Sequence, residues 1–198
     1  MRGARHNGFL AVRAEGGLIS PDIIAGLAAS RSELPGLRAE DYHLGAERLG
    51  EAITRSWNRM RGEWARFQDA RTRAGATEAA TGLTRERLLL PLFQELGYGR
   101  LQPARGLEVQ GKSYPVSHLW GKAPIHLVGS GVELDRRSSG VAGAAQASPH
   151  GLVQELLNRS DEHLWGFVSN GRLLRILRDN RSLTRQAYVE IDLEAIYQ

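Results

Sequence analysis

The spacing of the apolar residues changes along the chain, and this change restricts the folds that the sequence can adopt. Between residues 49 and 67 apolar side chains recur every three or four positions, which predicts a long amphipathic helix beginning near Asp41. Its apolar stripe is Leu49, Ile53, Trp57, Met60, Trp64 and Phe67. Beyond residue 100 apolar residues alternate with polar ones, which predicts short strands. The sequence therefore predicts an α/β (α+β) fold, with a helical part before a small mixed β-sheet flanked by helices.

Turn and capping residues divide the chain further. Residues 1–75 form the predicted helical N-terminal part, with a flexible start over Met1 to Gly17, and 82–198 the predicted mixed α/β domain. In that domain we expect a helix capped by Thr84 and kinked at Pro91, and a helix that begins at Ser148-Pro149. We expect strands at Leu107–Val109, Ile125–Val128, Val132–Leu134, Leu164–Val168, Leu173–Leu177 and Ala187–Ile191, with a turn at Asn170-Gly171.

The composition excludes several classes of site. The chain has no cysteine, which excludes disulfides, thiolate zinc sites and cysteine nucleophiles. No apolar run reaches the ~18 residues of a membrane helix, so we expect a cytoplasmic protein. The net charge is +4, and all but two of the 26 basic residues are arginine, which permits nucleic acid as a partner.

Residues 106–113, GLEVQGKS, match the expression for a nucleotide-binding phosphate loop. Such a loop needs a helix that begins at its Lys-Ser pair, whereas Ser113 precedes Tyr114-Pro115, and proline disfavours helix in the residue before it. Leu107 and Val109 alternate like a strand. We therefore interpret this stretch as a strand that turns at Gly111.

Other enzymatic patterns are missing. Histidines 118, 126, 150 and 163 lack helical metal-ligand spacing, so we expect no metal site. The sequence contains neither a G-x-G strand-to-helix turn for S-adenosylmethionine nor the N-P-P-aromatic motif of adenine methylation.

Four segments nevertheless resemble a known family. They are LTRERLLLPLFQELGYG (83–99), GKSYPVSHLWGKAPIHLVGSGVELDRR (111–137), SPHGLVQELLNRSDEHLWGFVSNGRLLRILRDN (148–180) and RQAYVEIDLEAIY (185–197). Together they resemble the N-terminal region of bacterial phage-defence DNA adenine methyltransferases of the DISARM and BREX (PglX-like) class, which are related to fused restriction-modification enzymes. The resemblance implies either an N-terminal fragment or a truncated relative, and the methyltransferase domain, with its S-adenosylmethionine, is absent from this chain.

The same resemblance implies a degenerate restriction-nuclease-like domain. Active members carry Pro-Asp on the second strand and Glu-x-Lys on the third, where two carboxylates hold a divalent metal. Here the second strand reads Pro124-Ile125-His126, and Glu133 and Asp135 are followed by arginine. We therefore expect a non-catalytic, DNA-associated module without cofactors of its own. A metal-dependent DNA nuclease using Glu133 and Asp135 is one alternative, and a protein-interaction module or antagonist of the defence complex is another.

The resemblance also identifies the expected partners, which are DNA and a methyltransferase domain or other defence-system subunits. The predicted DNA contacts are basic residues on the long helix, in the strand region and on the second hairpin. They are Arg55, Arg59, Lys112, Arg136, Arg137, Arg172 and Arg175. A solvent-exposed helix face without a ligand remains the alternative for Arg55 and Arg59.

Overall fold

The computed structural model describes residues 10–29, 34, 36–75, 80–179 and 186–198. The main helices are α1 (Pro21–Ala28), α2 (Leu49–Ala74), α3 (81–98), α4 (Pro149–Arg159) and α5 (Leu193–Tyr197), with a short 3-10 turn at Ala39–Tyr42. Helix α3 alternates between α-helical turns (Thr81–Thr84, Leu90–Phe93) and π-helical turns (Arg85–Leu89, Gln94–Tyr98).

Seven strands form one mixed sheet in the order β1-β9-β8-β7-β6-β5-β2, and β3 and β4 form a separate hairpin. The strands are β1 (Val12–Glu15), β2 (Gln102–Pro103), β3 (Leu107–Val109), β4 (Lys112–Tyr114), β5 (His118–Trp120), β6 (Ala123–Leu127), β7 (Trp165–Ser169), β8 (Leu173–Arg178) and β9 (Tyr188–Asp192). All pairings are antiparallel except that of β6 with β7, which are joined by a long connection containing α4. The predicted mixed α+β class is confirmed.

Each face of the sheet packs on its own apolar cluster. On one face, Phe167 and Ile125 pack with residues of α2 and α3, among them Phe67 and Phe93. On the other face, Val168 packs with α4 and with the hairpin residue Tyr114. Alternating strand side chains supply the two clusters, because successive residues of a strand point to opposite faces.

Helix α2 begins later than its sequence pattern predicts. It starts at Leu49, and the Glu51 side chain accepts a hydrogen bond from the backbone N–H of Arg48. The predicted start at Asp41 is wrong, because that carboxylate instead accepts from the backbone N–H groups of Gly36 and Arg38 in a separate turn. Within the apolar stripe Met60, Trp64 and Phe67 are buried, whereas Ile53 and Trp57 remain 59% and 40% exposed.

Thr84 does not cap α3, since the helix begins at Thr81. The buried Thr84 hydroxyl instead accepts a hydrogen bond from the backbone N–H of Ser130, at 3.0 Å. Pro91, which has no N–H to donate, lies between the two π-helical turns. Gly97, at φ +86°, has a non-helical conformation and kinks the last turn of α3.

The GLEVQGKS stretch forms the β3–β4 hairpin. Leu107 pairs with Tyr114, and Val109 pairs with Lys112. The two residues between the strands, Gln110 and Gly111, have φ of +50° and +75°, as a tight hairpin turn requires. The prediction of a strand and a turn in place of a phosphate loop is confirmed.

The predicted strand at Val132–Leu134 is wrong, because these residues lie in the long β6–α4 connection. The backbone carbonyls of Val132 and Leu134 take no part in strand pairing. The Asn170 side chain donates to Val132 O, and the backbone N–H of His150 donates to Leu134 O. Val132 and Leu134 are buried and Glu133 between them is exposed, so the loop reproduces the alternation of a strand.

The predicted N-terminal part and the predicted α/β domain contribute to the same sheet and the same core. Strand β1 pairs with β9, so the predicted flexible start is wrong for residues 12–15, while residues 1–9 lie outside the described residues. Helix α2 packs in the same cluster as Leu88 and Phe167. The predicted boundary near residue 75 therefore separates stretches of sequence that contribute to one core.

Candidate nucleic-acid interface

The connection after β6 and the β7–β8 hairpin meet at one end of the sheet. Asn170 Nδ2 donates to Val132 O at 2.8 Å, and Ser130 bonds to Thr84 of α3. These contacts lie where the parallel strands β6 and β7 finish, so the loop that carries Arg136 and Arg137 and the hairpin that carries Arg172 emerge at the same end. We call this region the arginine end.

Arg175 anchors the loop to the sheet face. It is 4% exposed, and its guanidinium donates two hydrogen bonds to Asp135, with Nη1–Oδ1 at 2.6 Å and Nη2–Oδ2 at 2.8 Å. Its Nε donates to Glu190 at 2.7 Å, the residue directly opposite on β9. The guanidinium also stacks on the Tyr188 ring, 4.6 Å from the centroid. Arg175 is thus fully engaged within the protein and is not available for DNA.

The charge pairing shifts the protonation equilibria of this cluster. Hydrogen bonds from Arg175 hold the pKa of Asp135 below its ordinary value. Burial alone lowers the pKa of Arg175, but the two carboxylates reverse this and raise the pKa above its ordinary value. Both partners therefore stay charged across the physiological range.

His150, at the start of α4, completes the cluster. Arg175 Nη1 lies 3.1 Å from His150 Nδ1, and since a guanidinium only donates, this nitrogen accepts. The proton of the neutral ring is then on Nε2, which is buried and has no partner among the described residues. Burial, together with the charge of Arg175, lowers the pKa of His150 to about 4.

Glu133 and Asp135 are the carboxylates that the nuclease alternative would use. They lie in a loop rather than on a strand, and each is paired with an arginine: Glu133 Oε2 lies 3.2 Å from Arg136, and Asp135 binds Arg175. Among the described residues no group of three or more histidine and carboxylate side chains is arranged to hold a metal ion. The geometry gives the nuclease alternative no support.

Arg55, Arg59 and Lys112 lie on other surfaces and face carboxylates. Arg55 bonds to Glu47 at 2.9 Å, and Arg59 lies 3.3 Å from Glu95. Lys112 bonds to Glu155 of α4 at 2.7 Å. Each of these ion pairs is partly exposed and adds little to stability. The carboxylate beside each basic side chain nevertheless reduces the attraction of that side chain for phosphate.

The arginine end retains basic side chains for a ligand. The Arg136 side chain is 79% exposed and pairs with Glu133, whose own side chain is 59% exposed, so both partners of this pair face solvent. Arg137 is exposed, and no carboxylate in the described ranges is paired with it or with the half-buried Arg172. Of the predicted set, Arg136 and Arg137 thus lie on the loop, and Arg172 on the hairpin, that emerge at this end of the sheet.

Sequence reasoning missed Glu190, His150 and Tyr188 as partners of Arg175. The sequence does contain one indication of such partners: Arg175 lies inside the apolar run Leu173–Leu177, and a buried arginine requires a counter-charge. The identity of that counter-charge depends on strand register, which the sequence did not provide.

The comparisons with known proteins return no relative: no family model, no curated protein and no solved structure matches this chain. No helix in the described part of the chain combines the length and apolar character that a membrane crossing demands.

Proposed function

We propose that this chain is a non-catalytic, DNA-associated module that contacts phosphates through its arginine end. The observation that carries the proposal is the position of the loop with Arg136 and Arg137 and of the hairpin with Arg172 at the end of the sheet where β6 and β7 finish. Arginine is suited to this role because its planar fork binds phosphate oxygens in pairs.

The sequence resemblance supplies the setting of the proposal. A restriction-nuclease-like module ahead of a phage-defence adenine methyltransferase, acting in the cytoplasm, would help to hold DNA for a catalytic domain elsewhere. The pairing of Asp135 with Arg175 and of Glu133 with Arg136 favours binding over cleavage. S-adenosylmethionine would then belong to the catalytic partner.

The experiment is a salt titration of duplex DNA binding, followed by fluorescence anisotropy. We expect non-specific affinity with a Kd of roughly 10⁻⁴ to 10⁻⁶ M that weakens steeply between about 50 and 200 mM salt. In the double variant Arg136→Ala/Arg137→Ala, we expect the slope of log K against log salt to decrease by about 2, one unit for each lost phosphate contact.

The matched control is Arg55→Ala/Arg59→Ala, which removes the same charge from α2. Both of these arginines face carboxylates that are less exposed than Glu133 is, whereas in the other double variant Arg137 has no carboxylate partner among the described residues, so we expect a smaller change. Equal losses in the two double variants would show that only net charge matters and would contradict an interface at the arginine end. Absence of binding at 50 mM salt would contradict the proposed function itself.

A further inference from the structure

Large exposed aromatic side chains lie at the opposite end of the sheet, where β6 and β7 begin. Trp120 pairs with Ala123, and Trp165 pairs with Arg178. Because Ile125 pairs with Phe167 in the parallel ladder, Ala123 and Trp165 lie at the same level. The four residues therefore form one row across β5, β6, β7 and β8, on the face that carries Phe167.

Helix α3 only partly covers this row. Tyr98, at its C-terminal end, packs edge-on against Trp120 with centroids 4.9 Å apart and against Phe167 at 5.5 Å. Trp120 and Trp165 remain 48% and 40% exposed, and the Arg178 guanidinium stacks 5.4 Å from the Trp165 ring. The indoles are thus held in place while their outer surfaces face solvent.

Two exposed leucines lie within two positions of Tyr98 and Trp165 in sequence and add to the exposed apolar area. Leu96 on α3 is 55% exposed, and Leu164, directly before β7, is 48% exposed. We call Leu96, Tyr98, Trp120, Leu164, Trp165 and Arg178 the aromatic surface. Tryptophan, tyrosine and arginine are the residues most enriched in the energetic centres of protein interfaces, and contiguous exposed apolar surface marks such contacts.

The charges around the aromatic surface favour a protein partner over nucleic acid. In the described part of the chain, five charged residues lie within two positions of it in sequence: Arg100, Lys122, Glu95, Glu162 and Asp179. Together with Arg178 of the surface itself they make three cations and three carboxylates. The signs balance, so there is no net attraction for phosphate of the kind that single-strand binding requires. An apolar centre within a rim of both signs instead suits a partner with the same arrangement.

We propose that the aromatic surface binds a second copy of this chain, forming a twofold-symmetric dimer. A twofold interface places the same patch on both subunits and must be self-complementary. Here the apolar centres would meet, and rim cations such as Lys122 would approach carboxylates such as Glu162 of the other copy. The arginine ends would remain accessible, because they lie at the other end of the sheet.

The size of the surface sets the expected strength. The two indoles and two leucines expose on the order of 400 Å², about half of the ~800 Å² that each partner contributes to a standard interface. The charged residues around the aromatic surface must supply the remaining buried area. We therefore expect a reversible dimer with a Kd on the order of 10 µM.

Sedimentation equilibrium tests the proposal directly. From about 1 to 100 µM protein we expect the mass to rise from 21.8 kDa towards twice that value. We expect Trp120→Ser/Trp165→Ser to remain monomeric, and Trp57→Ser to dimerise like the original chain. Trp57 is the matched control because it is 40% exposed but lies on α2 and is not one of the residues of the aromatic surface. Lys122→Glu, in an exposed turn, provides a test that leaves the indoles in place, and we expect it to weaken the dimer about tenfold.

Three results would overturn the proposal. They are a monomer mass at all concentrations, a dimer that survives both the double tryptophan change and Lys122→Glu, and a dimer lost equally in Trp57→Ser. If single-stranded oligothymidine quenches the fluorescence of Trp120 and Trp165 while the chain stays monomeric, the aromatic surface binds nucleic acid instead. None of these outcomes depends on duplex binding at the arginine end.

Discussion

Acidification should destabilise this protein through His150, and the structure gives the magnitude. The ring is buried against Arg175, and its pKa falls from 6.5 to about 4 on folding. Above pH 6.5 the ring is neutral in both states and its contribution to stability is fully present. Below pH 6.5 the unfolded chain binds a proton that the folded chain resists until about pH 4, so stability falls with pH across this window.

One pKa unit corresponds to about 1.4 kcal/mol, so this single histidine accounts for roughly 3 kcal/mol between pH 6.5 and 4. Burial lowers the pKa of His118 to about 4 as well, and burial also lowers the pKa of His126. Several histidines thus act together, and the contribution of His150 must be isolated with a variant.

Urea unfolding at half-unit pH intervals measures this contribution. In His150→Asn the amide oxygen can still accept from Arg175, but the residue no longer titrates. We expect the slope of unfolding free energy against pH to decrease by about 1.4 kcal/mol per pH unit between pH 6.5 and 4. The control is His43→Asn, because His43 is exposed at φ +55°, a conformation that asparagine tolerates. An unchanged slope in His150→Asn, or an equal change in His43→Asn, would refute the reasoning.

The remaining predictions concern packing, the buried ion pair and catalysis. Gly171→Ala should destabilise by about 2 kcal/mol or more, because φ is +79° and the added Cβ would lie 2.6 Å from a Thr84 methyl group; Gly17→Ala, at φ +73° in open space, should cost less in the same urea assay. Arg175→Leu should cost about 3 kcal/mol, since it leaves carboxylates beside a buried site without their counter-charge, and a loss below 1 kcal/mol would contradict the pairing. Phe93→Ala, fully buried, should cost about 3 to 5 kcal/mol by thermal or urea unfolding. Supercoiled plasmid incubated with Mg²⁺ or Mn²⁺ should stay intact, and cleavage that disappears in Glu133→Ala would support the nuclease alternative.

The predicted elements succeeded where local sequence decides conformation. Ser148 caps α4 by accepting from the backbone N–H of Gly151, with Pro149 in the first turn. The hairpin around Asn170-Gly171 and the turn at Gly111 follow from residues that tolerate positive φ. Arg175 and Arg178, three apart on one strand, point to opposite faces as strand alternation requires, one buried and the other exposed.

The predictions failed where burial depends on distant segments. Val132 and Leu134 have strand-like alternation, but they are buried because α4 packs over a loop. The apolar stripe of α2 is regular, yet Ile53 and Trp57 stay exposed while Ala52 and the later stripe residues Met60, Trp64 and Phe67 are buried. In both cases the pattern shows that one side is apolar but does not show what covers it.

The sequence by itself determined the helix–strand alternation, the tight turns and the rejection of a nucleotide loop, because these depend on dihedral preferences and on neighbours a few residues apart. Only the tertiary structure decided which charges pair. Strand register sets Glu190 opposite Arg175, and the path of the β6–α4 loop brings Asp135 to the same guanidinium. A residue predicted to bind DNA is therefore an internal anchor, because a buried charge must be neutralised by whatever the fold brings within hydrogen-bonding distance.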